Sequence, residues 1–217
     1  MITIKSFTQN PITKMGEYAG ICTDFTNADK FYNVGKSCIK SGHGRVLEYP
    51  DVIMEIDGYS SRVIRELYTH ILGITRLQES TRYVDCENFS FYTPDTLSHN
   101  KEAFEVYNNL MNGIKSAYKI LTVDYKVPKE DVANILPLGM NTKIVLKINL
   151  RALFHMFEER LCNRAYKEFR KLMTEMKYEL SKLDKEWNEL TTMMNCKCDK
   201  EKLCRERRGS CGKYPNA

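Results

Sequence analysis

The feature that most restricts the fold is a long apolar stripe in the second half of the chain. Across residues 150–190, apolar side chains recur at steps of three and four, which is the repeat of an amphipathic α-helix. The stripe is longer than most helices of globular proteins, so we expect a break or a contact with another chain within it. Packing in a core or between helices is the simplest explanation of such a stripe.

Shorter segments with the character of β-strands lie elsewhere in the chain. Residues 1–7 alternate between apolar and polar side chains, residues 52–56 form a second candidate, and residues 143–148 are rich in Ile and Val. The pair Asp57-Gly58 is a turn signal and is expected to end the second strand. These segments predict a sheet in addition to the helices.

Further helices are expected around these strands. Ser60 or Ser61 is suited to cap a helix after the second strand. Residues 98–136 have helical spacing, with a short helix beginning at Pro128 and ending at Pro137, whereas residues 84–97 read as a loop. We therefore predict an α+β protein: a single mixed α/β domain, residues 1–195, with a central antiparallel-type sheet and long helices, followed by a tail.

Composition excludes several classes of protein. The chain has 217 residues, of which 42% are hydrophobic and 28% are charged, so it is neither collagen-like nor disordered. No apolar run approaches the ~18 residues of a membrane span, and the first residues lack the pattern of a signal peptide. We expect a soluble, cytoplasmic protein with no membrane partner.

The C-terminal tail, residues 196–217, is basic and rich in cysteine. Seven basic and three acidic residues give it +4 of the net charge of +5, so the body is almost neutral and unsuited to bind duplex nucleic acid. Four thiolates can bind zinc tetrahedrally, but their spacing is not that of common zinc sites, and reduced, unligated thiols fit it better. The four tail thiols are Cys196, Cys198, Cys204 and Cys211.

Generic catalytic signatures such as GxSxG, the P-loop, HExxH and GxGxxG are absent from the sequence. Two polar clusters remain. Residues 78–83 combine hydroxyls, an amide, a carboxylate and a guanidinium, which suits a phosphate, although such runs are usually solvated loops. In residues 149–160, Arg151 and His155 share a helical face beside apolar side chains, and surface ion pairs with Glu158 and Glu159 are the alternative.

Taken together, these segments resemble the flavin-dependent thymidylate synthases. The matching motifs occur in the family's order over about residues 20–172, and this order is much more specific than any one motif. They are Gly42-His43 with Leu47-Glu48, Glu55 to Gly58 with Ser61-Arg62, Ser80-Thr81-Arg82-Tyr83, Pro128 to Asp131 with Leu136-Pro137, and finally Asn149, Arg151, Leu153, Arg160, Arg164-Ala165, Glu168 and Arg170.

The chain departs from the family pattern at several charged positions. The family's Arg-His-Arg falls on residues 70–72 or, with one residue inserted, on residues 69–71, so both arginines are lost. Asn134 replaces an arginine expected to bind the nucleotide phosphate, and Tyr49 replaces a histidine. Each lost charge-assisted hydrogen bond costs ~1.5–3 kcal/mol. Three arginines are near enough in sequence to compensate: Arg45, Arg65 and Arg76.

The resemblance implies an enzyme that methylates dUMP reductively to dTMP, with FAD as cofactor and methylenetetrahydrofolate and NADPH as co-substrates. It implies a homotetramer whose sites combine groups from different subunits. It also implies that Arg160 is the catalytic residue, because a guanidinium beside the uracil ring stabilises its anionic form and makes C5 nucleophilic.

The remaining site residues are also implied by the resemblance. The residues implied to bind the substrate are Glu66, Gln78, Glu79, Ser80, Thr81, Arg82, Asn134 and Arg160. Those implied to bind the flavin are His43, Arg45, His70, Ile71, Leu72, Gln78, Asn149, Arg151 and His155. Two alternatives stay open: a diverged homologue that modifies another pyrimidine nucleotide or adds a different one-carbon group, and a non-catalytic nucleotide-binding or scaffold protein.

Overall fold

A computed structural model describes residues 1–206 and 208–217. Arg207, one of the seven basic residues counted in the tail, lies outside the described residues. Among the described residues, no helix combines the length and the apolar content that crossing a bilayer requires.

Four antiparallel strands form the sheet, in the spatial order β1-β2-β4-β3. Their bounds are β1 Ile2–Phe7, β2 Asp51–Ser60, β3 Ile74–Gln78 and β4 Asn141–Asn149. In β4 every second side chain is buried, Ile144, Leu146 and Ile148 among them, while Lys143 and Lys147 are exposed. This alternation is the one expected for a strand with one face in a core.

The turn predicted at Asp57-Gly58 is wrong, because β2 continues to Ser60. Gly58 has a φ of +79°, a backbone conformation that glycine adopts without steric cost. The glycine therefore accommodates a local distortion within the strand. The predicted helix does follow, and the Ser60 hydroxyl caps it by accepting from the Val63 N–H at 3.2 Å.

Ten α-helices are found in the described residues. They are α1 Pro11–Ile21, α2 Phe31–Lys40, α3 Ser61–Leu67, α4 Asp95–Ser98, α5 Lys101–Lys119, α6 Lys129–Val132, α7 Leu150–Arg160, α8 Lys167–Ser181, α9 Lys185–Met193 and α10 Lys197–Glu201. Short 3₁₀ turns occupy Ala28–Lys30, Val46–Glu48 and Ala133–Ile135, and a π-helical turn, Ile120–Asp124, follows α5.

The predicted break in the long apolar stripe is confirmed, since three helices, α7 to α9, share it. Asn149 caps α7 by accepting from the Ala152 N–H at 2.9 Å. Asp184 caps α9 in the same way, accepting from the Trp187 N–H at 2.8 Å. These two side chains satisfy N–H groups that have no partner within the helix, so each marks a helix start in the sequence.

The chain divides into two compact units. The first contains Met1, residues 56–69 and residues 77–145, and the second contains residues 2–55, 70–76 and 146–217. The first unit has a core of six buried residues: Cys86, Phe89, Met111, Tyr118, Val132 and Met140.

In the second unit, α1 and α2 touch through their backbones. A Cβ added at Gly16 would lie 1.8 Å from the Phe31 carbonyl oxygen, and one at Gly35 would lie 1.9 Å from the Ile12 carbonyl oxygen. Only glycine allows helices this close, because any side chain at either position would occupy the space of the other helix.

Candidate functional site

In the second unit, Arg160 contacts a histidine and a phenylalanine. Arg160 is near the C-terminal end of α7, and its Nε donates a hydrogen bond to Nε2 of His70 at 2.9 Å. Its guanidinium carbon lies 4.9 Å from the centre of the Phe169 ring, and Phe169 is fully buried. A guanidinium over an aromatic face is attracted by the ring quadrupole, so both contacts restrict the position of this arginine.

His70 is neutral in this arrangement. Burial lowers its pKa from 6.5 to about 4, and the positive charges of Arg160 and Arg76 and the nearby His155 act in the same direction. Because Nε2 accepts the bond from Arg160, the ring proton is assigned to Nδ1. The rings of His70 and His155 lie 5.9 Å apart.

The backbone around His70 is held by neighbouring polar groups. Arg76 donates from Nη1 to the His70 carbonyl oxygen at 2.7 Å. The Asn149 N–H donates to the Gly73 carbonyl oxygen at 3.0 Å. Gly73 has a φ of +73°, and a Cβ there would lie 2.6 Å from the Asn149 side-chain amide. The segment after His70 therefore lies directly against the start of α7.

Arg151 connects α7 to the segment that contains His43 and Arg45. Its Nη1 pairs with the Glu48 carboxylate, and its Nε lies 3.2 Å from where a Gly44 Cβ would be. Arg151 therefore pairs with Glu48 and not with Glu158 or Glu159, the acids that the alternative explanation of this polar cluster invoked. Two further expected flavin contacts, Ile71 and Leu72, are apolar side chains left 71% and 87% exposed.

In the first unit, Gln78 is the last residue of β3 and residues 79–83 form a turn after it. The Ser80 carbonyl oxygen accepts from the N–H groups of Tyr83 at 3.1 Å and Val84 at 3.0 Å. Gln78 is held from two sides, since its Oε1 accepts from the Tyr68 hydroxyl at 2.9 Å and its Nε2 donates to Thr142 Oγ1 at 3.4 Å. The polar cluster predicted from the sequence is thus an ordered loop.

Arg82 in this loop pairs with Glu130 at 3.0 Å, and the two side chains are 62% and 55% exposed. An ion pair this exposed contributes only ~0–1 kcal/mol. A phosphate dianion is therefore able to displace Glu130 from Arg82 at little cost. Asn134, also exposed, donates from Nδ2 to the Asp131 carbonyl oxygen at 2.9 Å, within its own turn.

A cleft of about 220 Å³ lies beside this loop. Its wall contains the acids Asp57, Glu79 and Asp85, and Lys143, which pairs with Asp57 at 3.4 Å. This excess of carboxylates disfavours an anion inside the cleft. Of residues 78–83, only Glu79 and Thr81 are in its wall, and the groups suited to phosphate, Ser80 and Arg82, are not.

Three residues that support these clusters were not identified from the sequence. Phe169 was read as part of the apolar stripe, Arg76 only as a substitute for a lost charge, and Thr142 not at all. Each acts through a partner that the motifs do not indicate: Arg160 for Phe169, His70 for Arg76, and Gln78, 64 positions away, for Thr142. The clearest available signal was Arg76, a charged residue six positions after His70.

Comparison with known proteins places these residues in a family context. Residues 5–184 match the family model described as thymidylate synthase complementing protein. The flavin-dependent thymidylate synthase of Nitratidesulfovibrio vulgaris is 32% identical over 187 residues, which cover 82% of this chain and 75% of that protein. That of Pyrococcus furiosus is 34% identical over 147 residues, covering 66% of this chain and 59% of the relative, which is less than two thirds of its length.

Solved structures show the same fold. Thymidylate synthase X from Helicobacter pylori, solved with FAD and dUMP, has a TM-score of 0.70 at 18% identity and covers 89% of this chain and 98% of that chain. The UMP/dUMP methylase PolB from Streptomyces cacaoi, bound with 5-Br dUMP, has a TM-score of 0.76 at 16% identity, over 90% and 95% of the two chains. The predicted α+β fold with an antiparallel sheet is therefore confirmed.

Proposed function

Since this chain belongs to the flavin-dependent thymidylate synthase family, we propose that it methylates dUMP reductively to dTMP. FAD is its cofactor, methylenetetrahydrofolate supplies the carbon, and NADPH is the reductant. The observation that carries the proposal is the contact between Arg160 and a neutral His70 in a chain whose residues 5–184 match the family model. The relatives do not favour the alternatives of a scaffold protein or of a different pyrimidine substrate.

Arg160 is the catalytic residue in this proposal. The C5 carbon of uracil is a poor nucleophile in water, and a cation beside the N3 and O2 edge stabilises the anionic ring and raises electron density at C5. A guanidinium carries five N–H donors in a plane, which suits the planar edge of a pyrimidine. No cysteine nucleophile is needed in this scheme.

His70 is a positioning residue for that arginine. Its Nε2 accepts a hydrogen bond from Nε of Arg160, and this bond fixes the orientation of the guanidinium plane. A protonated imidazole has no lone pair at Nε2 and would repel the arginine, so the contact requires the neutral ring. Burial, which lowers the His70 pKa, maintains this state at neutral pH.

Ser80 and Arg82 bind the nucleotide phosphate in this proposal. The hydroxyl and the turn N–H groups of residues 80–82 donate without steric bulk, and Arg82 adds a charge-assisted bond once Glu130 is displaced. Gln78 is oriented by Tyr68 and Thr142, and it is proposed to contact the base together with Glu66. Glu79, Thr81 and Asn134 remain proposed substrate contacts.

The residues of the second unit fit a flavin. Asn149 caps α7, Arg151 and His155 lie on its first two turns, and the three side chains offer an amide, a guanidinium and an imidazole to a polar ring edge or a diphosphate. His43, Arg45 and residues 70–72 are the other proposed contacts of this unit, and the exposed Ile71 and Leu72 suit an apolar ring face. Gln78 stays a proposed flavin contact. When bound, the flavin supplies the hydride that completes the methyl group. The homotetramer and the cytoplasmic location stay predictions.

Complementation of a thymidine auxotroph tests the proposal most directly. Purified protein should be yellow, should oxidise NADPH faster when dUMP is added, and should form dTMP only when methylenetetrahydrofolate is present. Colourless protein that takes up no added FAD would contradict the proposal that the chain binds a flavin. Turnover of another pyrimidine nucleotide in place of dUMP would contradict the assignment of dUMP as the substrate.

A further inference from the structure

We propose that the tail carries a zinc site formed by Cys196, Cys198 and Asp199. The tail lies beyond residues 5–184, the part of the chain that matches the family model. The inference is therefore independent of the proposed function and concerns a segment to which the family resemblance assigns no role.

The three side chains converge at the start of α10, where Cys196 is the N-cap residue. The N–H of Asp199 donates to the Cys196 carbonyl oxygen at 3.0 Å, which closes the first turn of this short helix. One ligand atom from each of the three residues lies within 4.8 Å of the others, and the two sulfurs are 3.3 Å apart. Ligands spaced like this around a tetrahedral ion are compatible with zinc–sulfur bonds of ~2.3 Å and zinc–oxygen bonds of ~2.1 Å.

The chemistry of the ligands selects a thiophilic divalent ion. Two thiolates and a carboxylate carry three negative charges. A divalent cation reduces the net charge of the site to −1, and Lys213 lies where its positive charge offsets this remainder. Its Nζ lies 2.5 Å from Asp199 Oδ1, so it also orients the carboxylate in the manner of an outer-shell partner. Soft sulfur ligands disfavour magnesium and calcium, which take oxygen ligands. Binding releases the thiol protons to solvent.

The two other tail thiols do not join this group. Cys204 is buried elsewhere, and its N–H and carbonyl oxygen bond to Pro215 and Ala217 at 2.7 and 2.8 Å. Cys211 is exposed, with its sulfur 3.7 Å from Asn163 Nδ2. The structure therefore favours two thiols and an aspartate over the four-thiol arrangement considered from the sequence, and the fourth position of a tetrahedral ion would be open to water.

A bound ion would anchor the tail. Cys196 is 2% exposed and lies three residues after the end of α9. Lys200, one residue beyond the ligands, pairs with Glu158 of α7 at 2.8 Å. The metal would stabilise the first turn of this short, polar segment within the second unit, because so short a segment has no apolar core of its own.

Metal analysis of the full chain, purified without chelator and without a metal-affinity step, tests the site. We expect about one zinc per chain, and cobalt in its place should give a thiolate-to-metal charge-transfer band. Zinc should protect the partly exposed Cys198, but not the exposed Cys22, from alkylation mapped by peptide mass spectrometry with and without the ion. Less than ~0.1 zinc per chain after incubation with excess zinc and dialysis would overturn the proposal.

Variants separate this site from the four-thiol alternative. Cys198→Ser and Asp199→Asn should each weaken zinc binding more than ~100-fold, since loss of an outer-shell partner alone costs ~10–100-fold. Cys211→Ser is the matched control and should bind zinc like the unmodified chain. If Cys211→Ser loses as much zinc affinity as the other two variants, the assignment of Asp199 as a ligand is wrong. A Cys196–Cys198 disulfide that forms in place of metal binding would also overturn the proposal. Alkylation of the unmodified chain decides the matter if a variant fails to fold.

Discussion

At the scale of single residues, the candidate chemistry depends on how a cation is held. Arg160 contacts a neutral imidazole acceptor on one side and an aromatic face on another. Both contacts are directional, so they position the charge without neutralising it themselves. The two residues that provide them, His70 and Phe169, are 90 and nine positions away in sequence.

Replacing Arg160 with alanine should reduce turnover of dUMP by at least ~10²-fold while flavin stays bound, because removing one charge-stabilising donor costs that much in other enzymes. Turnover is followed by dTMP formation, and flavin content by absorbance. The control is Arg205→Ala, an exposed arginine paired with Glu201. Undiminished turnover in Arg160→Ala would contradict the assignment.

His70 should make the protein less stable in mild acid. The unfolded chain takes up a proton near pH 6.5, whereas the folded chain does so near pH 4, so the free energy of unfolding falls as pH drops between these values. The loss is at most ~3.5 kcal/mol, since each pKa unit corresponds to ~1.4 kcal/mol, and solvent screening of this partly buried ring makes it smaller. Above pH 6.5 this group should contribute no pH dependence.

His70→Gln is the matched variant for that measurement. The glutamine carbonyl still accepts a bond from Arg160 but has no proton to gain in this range. Urea unfolding at several pH values should therefore show a shallower decline for the variant between pH 6.5 and 4. Identical slopes for both proteins would show that His70 does not titrate as the structure indicates.

The candidate site residues that belong to motifs were predictable from the sequence, and the residues that hold them in place were not. Ser80, Arg82 and Arg160 could be selected because motif order is a property of the sequence itself. Phe169 looked like core, since an apolar side chain at helical spacing gives no sign that a cation lies on its ring. Thr142 contacts Gln78 across 64 positions, and no local pattern encodes such a contact.

At the scale of elements, the crossing of α1 and α2 is the most sensitive packing contact. Gly16→Ala and Gly35→Ala should each destabilise the protein by ~3 kcal/mol or more, the upper end of overpacking costs, because backbone atoms cannot rotate away. Thermal unfolding monitored by circular dichroism measures the change.

Gly113→Ala is the control for those two variants. Gly113 is exposed within α5, and an added Cβ there meets nothing within 4 Å. It should therefore stabilise the protein by up to ~1 kcal/mol, the difference in helix propensity between alanine and glycine. If all three variants change stability alike, the close contact between α1 and α2 is not as described.

Elements with strong periodic patterns were predictable, and weak ones were not. The break within residues 150–190 followed from length and caps, and β4 from its alternation. By contrast, β3 has five residues with polar side chains on both faces and no run of apolar residues to reveal it. The end of β2 was misplaced because Asp-Gly is a turn signal in most contexts, whereas here the glycine stays within the strand.

At the scale of the whole molecule, α5 leaves apolar side chains in solvent. Val106 and Leu110 are 72% and 62% exposed, one helical turn apart on the same face. The helical spacing predicted for this segment is confirmed by α5, although Val106 and Leu110 of its apolar positions are not buried. Contiguous exposed apolar side chains often mark a surface that another protein chain covers.

A second copy of this chain is the expected occupant, which makes the homotetramer testable. Light scattering should give about 100 kDa in solution, four times the 25.3 kDa of one chain. Val106→Lys combined with Leu110→Lys should reduce the assembly to a smaller species, whereas Glu105→Lys on the same helix should not. A monomeric unmodified chain would contradict the tetramer, and an unchanged double variant would exclude this face.

The close contact of α1 and α2 at Gly16 and Gly35 also affects a site residue that lies beyond α2 in the chain. After α2 the chain turns through His43 and Arg45 and reaches Glu48, which bonds to Arg151. Two helices that touch backbone to backbone leave no side-chain layer to absorb a displacement, so we expect a shift of α2 to change the position of that carboxylate. Gly16→Ala and Gly35→Ala should therefore weaken the retention of FAD, followed by flavin absorbance, at temperatures where the chain is still folded.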